Sequence, residues 1–257
     1  MMAARPRAST GSRTQPVASP ASRRFRSWLD LWKDYPQEAR RLALRPDVTR
    51  ICELGGGANP IVPLDLIADR GLDHEVADIS AEELAKAPAG YRTVQVDATS
   101  PHFAERGPYD LIVTAFLAEH VRHARAFHAG VYAALRRGGL AFHVFPTLYE
   151  PTFLANLVVP ARISEPLLLR IQPGREPEGA HGKFRAHYRW CRGPTRRQIR
   201  RLQDLGFEVL DYAGYFGHGY FRRVPALDRA EQALSHALTR HPIAALTSYA
   251  TVTLRRP

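Results

Sequence analysis

The chain has 257 residues, enough for one domain with additions, and its hydrophobic content of 45% is ordinary for a globular protein. Its formal net charge is +11, and no uninterrupted apolar run approaches the ~20 residues that cross a bilayer, which argues against a membrane span. The two cysteines lie far apart in the sequence and match no disulfide framework or zinc site, so we expect a reducing, cytoplasmic environment.

The positive charge lies in two blocks that contain no acidic residue. The first, residues 1–29, holds six arginines, and the second, residues 183–201, holds eight lysines and arginines. Residues 1–24 are rich in Ala, Arg, Ser and Pro without a hydrophobic period, which predicts a disordered basic tail before a folded domain at 25–257. The same composition is typical of an organelle transit peptide, and both interpretations stay open.

The folded part alternates between helical and strand-like patterns. Trp28, Leu29 and Trp32 are spaced like one face of a helix, and Pro36 predicts the start of a second helix. Seven strand-like segments follow, at 49–54, 74–79, 92–98, 109–117, 140–146, 207–213 and 246–254. Because helical segments separate most of them, we predict an α/β fold with a doubly wound, mainly parallel sheet. Residues 147–194 break this rhythm after the fifth strand and are interpreted as an insertion that covers the substrate.

Local signals predict the ends of several helices. Ser80 and Glu83 form a capping-box pattern, and Thr195 is a suitable N-cap for the helix that follows it. The glycine pair at 138–139 predicts the C-terminal end of a helix over 124–137.

Polar groups and glycines follow the predicted strands at the edge of the sheet where ligands bind in this fold class. The first strand leads into the glycine run at 55–57, which allows a sharp turn and a close backbone approach to a ligand. The second and third strands lead into Asp78 and Asp97, whose carboxylates can accept strong hydrogen bonds. Each feature alone fits a plain turn or a helix cap, but together they predict a nucleotide-like cofactor. Pro60 stands where the nicotinamide fingerprint G-x-G-x-x-G needs its last glycine, which disfavours that cofactor.

These segments resemble the motifs of class I S-adenosylmethionine-dependent methyltransferases of the bacterial small-molecule type. CELGGGANP resembles the family's E/D-x-G-x-G-x-G motif, with Asn59 in the last glycine position, and VADIS and VQVDAT resemble its second and third motifs. YDLIVTAFLAEHV and LRRGGLAFHVFP resemble the signatures of its fourth and fifth strands, with Arg137 in place of a proline. The resemblance covers residues 48–146 closely and 195–254 loosely. It implies a Rossmann-like, seven-stranded sheet whose last strand is antiparallel.

The resemblance also implies S-adenosylmethionine as the cofactor. Asp78 would accept hydrogen bonds from the ribose hydroxyls, Asp97 would meet the adenine amino group, and Phe116 would flank the methionine end. The full set of residues implied to contact the cofactor is Glu53, Gly55, Gly56, Gly57, Asp78, Asp97, Ala98, Ala115 and Phe116.

Methyl transfer from a sulfonium needs mainly in-line alignment of the acceptor, which is worth ~7–11 kcal/mol, and a hydroxyl acceptor also benefits from a general base. His120 follows the fourth strand and is the first candidate for that base, with Glu119, His143 and His218 as the others, although the EHV segment could be structural. His218 lies in GYFGHGYF, which is either a substrate loop or a strand bulge. Glu119, His120 and His123 lack the pattern of a third ligand, so no metal site is predicted.

The second basic block contains two kinds of arginine. Those in the helix after Thr195 are spaced like a solvated face, whereas the earlier ones alternate with aromatic residues. Guanidinium groups suit phosphate and carboxylate, so we predict that a small, anionic metabolite binds Arg185, Tyr188, Arg189 and Trp190. An RNA methyltransferase, whose basic residues would track phosphates, and a non-catalytic cofactor-binding protein of the same fold are the alternatives.

Overall fold

The computed structural model describes residues 22–148 and 185–257, which fold into one eight-stranded sheet flanked by helices. The strands are β1 Ser22–Ser27, β2 Arg50–Leu54, β3 Asp73–Asp78, β4 Thr93–Gln95, β5 Tyr109–Ala115, β6 Leu135–Pro146, β7 Glu208–Phe216 and β8 Tyr249–Arg255. The helices are α1 Trp28–Ala43, α2 Leu64–Arg70, α3 Ala81–Leu84, α4 Pro101–Arg106, α5 Ala124–Ala134, α6 Arg196–Gln203 and α7 Pro225–Arg240. In these two ranges, no helix combines the length and apolarity that a bilayer crossing requires.

The strand order is β1-β7-β8-β6-β5-β2-β3-β4, and β8 runs antiparallel to both of its neighbours while the other pairs are parallel. The predicted α/β fold and its antiparallel last strand are therefore confirmed. Strand β2 lies between β5 and β3, so the direction of progression through the sheet reverses beside it. The carboxyl ends of these strands consequently open onto a crevice, where ligands bind in sheets of this type.

The sheet has one strand more than the seven that the sequence predicts. Strand β1 takes in residues 22–24, which were assigned to the disordered tail, and pairs in parallel with β7. Arg24 reinforces this pairing through two hydrogen bonds to Asp211, at 3.0 and 2.6 Å. Arg24 and Asp211 lie 187 positions apart in the sequence, so no local hydrophobic period could have indicated this pairing.

Two predicted helix boundaries differ from the structure. Helix α1 continues through Pro36 instead of restarting there. The sequence predicts that helix α5 runs to residue 137 and ends at the glycine pair 138–139, but the helix ends at Ala134. Residues 135–139 instead begin strand β6, whose register against β5 shifts between Tyr109 and Leu111. Sheet pairing thus overrides a local helical pattern. By contrast, the predicted N-caps are confirmed, because the side chains of Ser80 and Thr195 each accept an N–H from the third residue beyond.

The predicted insertion over 147–194 is described only at its two ends, and residues 149–184 lie outside the described residues. At the first end, the N–H of Leu148 donates to the carbonyl of Cys191 at 3.0 Å. At the second end, the N–H groups of His187 and Tyr188 donate to the carbonyl of Glu119 at 2.6 and 3.0 Å. These bonds hold the segment 185–194 against the loop that follows β5.

A buried carboxylate links the strands that carry the crevice. Glu75 of β3 is 2% exposed, and Arg106 of α4 donates to both of its oxygens, at 3.2 and 2.8 Å. The hydroxyl of Tyr109, in β5, also donates to this carboxylate. Although burial alone would raise the pKa of Glu75, these donors lower it below its ordinary value. Glu75 therefore joins β3, β5 and α4 through its ionised form.

We predict that Glu75→Gln lowers the free energy of unfolding by about 3 kcal/mol at pH 7, because Arg106 would face a buried amide in place of a charge. Since the folded-state pKa lies below the unfolded value of about 4.3, the stabilisation is complete above that pH and is lost as pH falls through the folded pKa. Urea titrations of both proteins at pH 7 and pH 3 measure this difference.

Asp73→Asn is the matched control, since Asp73 pairs with Arg50 and Arg92 but is about half exposed, and we expect it to cost less than about 1 kcal/mol. Equal losses in the two variants would contradict the role given to Glu75.

Candidate functional site

A cavity of about 680 Å³ lies in the crevice at the carboxyl ends of β2, β3 and β5. Helix α1 contributes Tyr35 to its wall, and the loop after β5 contributes Leu117. The cavity brings together most of the residues that the sequence implicated, namely Gly55, Gly56, Gly57, Asp78, Asp97, Ala98, Ala115, Phe116 and His120.

The glycine run forms the floor of this cavity in a conformation that other residues rarely adopt. Gly55 has a φ of +75° and Gly57 a φ of +35°. A Cβ atom on Gly55 would lie 2.9 Å from the side chain of Leu117, so the turn has no room for a side chain there. Glycine is therefore required by both the backbone and the packing, and it leaves the main chain open to a ligand.

Glu53 lies beneath the cavity and does not line it. Its side chain is 1% exposed, and its carboxylate accepts the N–H of Val62 at 3.1 Å and also that of Ile61. The Nε2 atom of His74 lies 3.3 Å from the same carboxylate. Glu53 thus holds the far end of the loop that begins with the glycine run.

The two strand-ending carboxylates differ in exposure. Asp78 is 7% exposed, its Oδ1 accepts the N–H of Ser80 at 2.9 Å, and its burial raises its pKa. Asp97 is exposed, and its Oδ1 accepts both the N–H and the hydroxyl of Thr99, each at 2.8 Å. Both carboxylates are held by local bonds, so their positions on the cavity wall are fixed before a ligand arrives.

An aromatic group of Phe116, Trp32 and Tyr35 borders the cavity, and the sequence connected only Phe116 to the site. Phe116 has a φ of +55°, an unusual value for a residue with a side chain, and its ring stacks on Trp32 with centroids 5.6 Å apart. Tyr35 meets Phe116 edge-on at 5.9 Å. The sequence pattern indicated the apolar face of α1. Only the fold shows that this face packs against Phe116 at the cavity.

The candidate general bases lie in different surroundings, and not all of them reach the cavity. His120 lines the cavity, and its Nε2 lies 3.8 Å from the Oε1 of Glu119. Glu119 is 4% exposed, and burial raises its pKa to about 8. His143, in strand β6, is fully buried, shares a 2.8 Å hydrogen bond with Thr114 and does not line the cavity. Among the residues that the structure describes, no three histidine, cysteine or acidic side chains are grouped as metal ligands.

The structure does not bring His218 to the cavity. Its ring stacks on Tyr220 with centroids 4.9 Å apart, and its backbone N–H donates to the carboxylate of Glu231, in α7, at 3.1 Å. The segment around it ends β7 and packs on α7, so the substrate-loop interpretation receives no support from this arrangement.

A second cavity, of about 810 Å³, adjoins the first and is termed the arginine cleft. It shares Arg122 and His123 with the first cavity, so the two spaces meet at the start of α5. Its arginines come from the loop before α5, from α5 itself, from the segment 185–194 and from α6, and they are Arg122, Arg125, Arg189, Arg192 and Arg201.

The four predicted substrate residues divide between the cleft and its surroundings. Arg189 and Trp190 line the cleft. Tyr188 is 6% exposed and Arg185 is exposed, and neither belongs to the lining. Sequence reasoning missed Arg122 and Arg125, although the segment VRHAR at 121–125 offered two arginines shortly after the fourth strand.

Comparisons with known proteins agree with this geometry. The family described as "Methyltransferase domain" matches residues 21–212. A search of curated protein sequences gave no significant match. Among solved structures, an S-adenosylmethionine-dependent methyltransferase from Clostridium acetobutylicum ATCC 824 aligns with 87% of this chain and 91% of its own, at 10% identity and a TM-score of 0.51.

A second similar structure is the N-methyltransferase NodS from Bradyrhizobium japonicum WM9 in complex with S-adenosyl-L-homocysteine. It aligns with 88% of this chain and 87% of its own, at 13% identity and a TM-score of 0.50. At such identities the structures support the shared fold, whereas the family match spans most of the chain. The chain therefore belongs to the methyltransferase domain family and is a class I methyltransferase that uses S-adenosylmethionine.

Proposed function

We propose that this methyltransferase acts on a small, anionic acceptor. The observation that carries the proposal is the junction of the two cavities at Arg122 and His123. A molecule whose anionic group occupies the arginine cleft can extend its other end past this junction into the cofactor cavity. The orientation that methyl transfer requires would then come from binding energy at a site remote from the reacting atom.

The cofactor cavity supplies suitable groups for each part of S-adenosylmethionine. In this proposal Asp78 accepts the ribose hydroxyls, Asp97 accepts the adenine amino group, and the glycine run lies against the amino-acid half. Glu53 keeps the loop in place without touching the ligand. The cofactor supplies an electrophilic sulfonium methyl, and Ala115 and Phe116 would shape the space in which the acceptor approaches it.

The electrostatic field around the junction favours an anion. Burial lowers the pKa of His187, and the nearby positive charges of Arg185, Arg122 and Arg189 lower it further. Arg192 donates to the carbonyls of Tyr188 and Cys191 at 2.8 and 2.9 Å, which holds this positive segment in place.

The protonation state of Glu119 at pH 7 favours His120 as the acceptor of any proton that the substrate releases. Glu119 has a pKa of about 8 and is therefore mainly protonated at pH 7, so it is a poor base there. His120 lines the cavity and lies next to this neutral carboxyl group, which leaves it available as the base. Glu119 would act through the position of His120 and not on the substrate.

We predict that Asp78→Asn weakens the binding of S-adenosylhomocysteine by about ten- to a hundredfold, since a hydrogen bond to a charged group is worth ~1.5–3 kcal/mol. Calorimetric titration measures this affinity, with NAD as the control ligand. Asp69→Asn, on the exposed side of α2, is the control variant and should bind as the original protein does. Unchanged affinity in Asp78→Asn, or binding of NAD instead, would remove the cofactor assignment.

The acceptor class is tested by following label from methyl-tritiated S-adenosylmethionine into three pools, which contain anionic metabolites, neutral or cationic metabolites, and RNA. We expect label in the anionic pool. Label in RNA, or label only in the pool of neutral or cationic metabolites, would contradict the proposal.

We predict that Glu119→Gln makes the protein less sensitive to alkaline pH. The pKa of Glu119 is raised in the folded state, so its contribution to stability is complete below the unfolded value of about 4.3 and is lost as pH rises toward 8. Between pH 5 and pH 9, the original protein should lose at least about 1 kcal/mol more unfolding free energy than Glu119→Gln. Urea titrations at both values measure this, with the exposed Glu82→Gln as control; parallel pH curves for all three proteins would refute the assignment.

A further inference from the structure

Four of the five arginines that line the arginine cleft lack a carboxylate partner among the described residues. Arg122, Arg125, Arg189 and Arg201 form no salt bridge within residues 22–148 and 185–257. They come from the start of α5, the segment 185–194 and α6, so three separate parts of the chain place positive charge in one space.

Several other arginines in the described part of the chain pair with carboxylates. Arg24 pairs with Asp211 at 2.6 Å, and Arg41 pairs with Glu38 at the same distance. Arg106 reaches Glu75 at 2.8 Å. These arginines each have a carboxylate partner, whereas at the cleft Arg122, Arg125, Arg189 and Arg201 line one space without a carboxylate partner among the described residues. Such an arrangement costs electrostatic energy, which a bound anion would recover.

The start of α5 adds to the positive potential of the cleft. Residues 124–126, its first turn, line the cleft; no side chain caps this end, and the turn contains no acidic residue. The positive end of the helix dipole therefore adds to the guanidinium groups around it.

The aromatic wall of the cleft does not suit the stacking of a nucleobase. The ring of Trp190 stacks on His128 with centroids 5.7 Å apart, and the guanidinium of Arg201 lies 5.8 Å from the Trp190 centroid. Burial lowers the pKa of His128 to about 4, so this neighbour is a neutral ring at pH 7. Because Trp190 is already engaged by both groups, the described residues that line the cleft offer charge but no free aromatic platform of the kind that single-stranded RNA uses.

We propose that the arginine cleft binds a diphosphate group carried by the methyl acceptor. A carboxylate would engage one guanidinium and leave the others uncompensated, whereas a diphosphate spreads two to three negative charges over several oxygens and can meet arginines from all sides of the cleft. The volume of about 810 Å³ accommodates such a group with part of the molecule attached to it. Only the statement that the diphosphate belongs to the methyl acceptor rests on the proposed function. The binding of a diphosphate in the cleft does not.

Calorimetric titration with inorganic pyrophosphate tests the site directly, at constant ionic strength so that screening does not change. We expect pyrophosphate to bind at least about tenfold more tightly than orthophosphate or acetate. The double variant Arg125→Gln/Arg189→Gln should weaken pyrophosphate binding by at least about tenfold, since each lost charge-assisted bond contributes on that scale. Arg229→Gln, an exposed arginine of α7 outside the cleft, should leave it unchanged.

Equal affinity for pyrophosphate and acetate, or pyrophosphate binding that survives the double variant, would overturn the inference. So would an RNA oligonucleotide that binds in the cleft while pyrophosphate fails to displace it. A parallel titration with S-adenosylhomocysteine separates this result from the proposed function, because loss of cofactor binding concerns the first cavity and loss of pyrophosphate binding concerns the cleft. Both variants should retain the original cofactor affinity, which also shows that they are folded.

Discussion

A carboxylate in the interior of a protein needs donors, and the way in which Glu53 obtains them shapes the whole cofactor cavity. It sits at the end of β2, nearly inaccessible to water, and the N–H groups that meet it belong to Ile61 and Val62, beyond the glycine run. The chain must therefore leave the strand, turn tightly and return to the same carboxylate. This forces the left-handed conformation of Gly55 and sets the main chain facing the crevice.

Charged side chains are arranged differently at the two ends of the strands. Near the amino ends of the strands, arginines and carboxylates pair closely, as Arg136 does with Asp110 and Arg106 with Glu75. Near the carboxyl ends, acids line the cofactor cavity and arginines line the adjoining cleft. Two neighbouring spaces thus present opposite charge, which favours a cofactor with hydroxyl and amino donors in one and an anion in the other. Stability and binding therefore draw on different sets of ionic groups.

The sequence was most informative where function depends on local conformation. A glycine run after a strand and an acid after each of the next two strands could be recognised because each sits at a fixed position relative to its own strand. Strand β1 could not be recognised, since its partner β7 lies at the other end of the chain. Likewise, nothing local distinguishes Glu53 under the cavity from a residue on its wall. The arginines show the same limit, because the alternation that singled out Arg189 also singled out Arg185, and only packing separates them.

The two ends of the segment between residues 148 and 185 are anchored to the same small region of the fold. Leu148 bonds to Cys191, and His187 and Tyr188 bond to Glu119, so the chain departs and returns at one edge of the sheet. The entropic cost of closing a loop rises only by about 0.6 kcal/mol for each doubling of its length. The cost of holding these two ends together therefore depends little on how much chain lies between them, so we expect the sheet that carries the cofactor cavity to tolerate a change in that length.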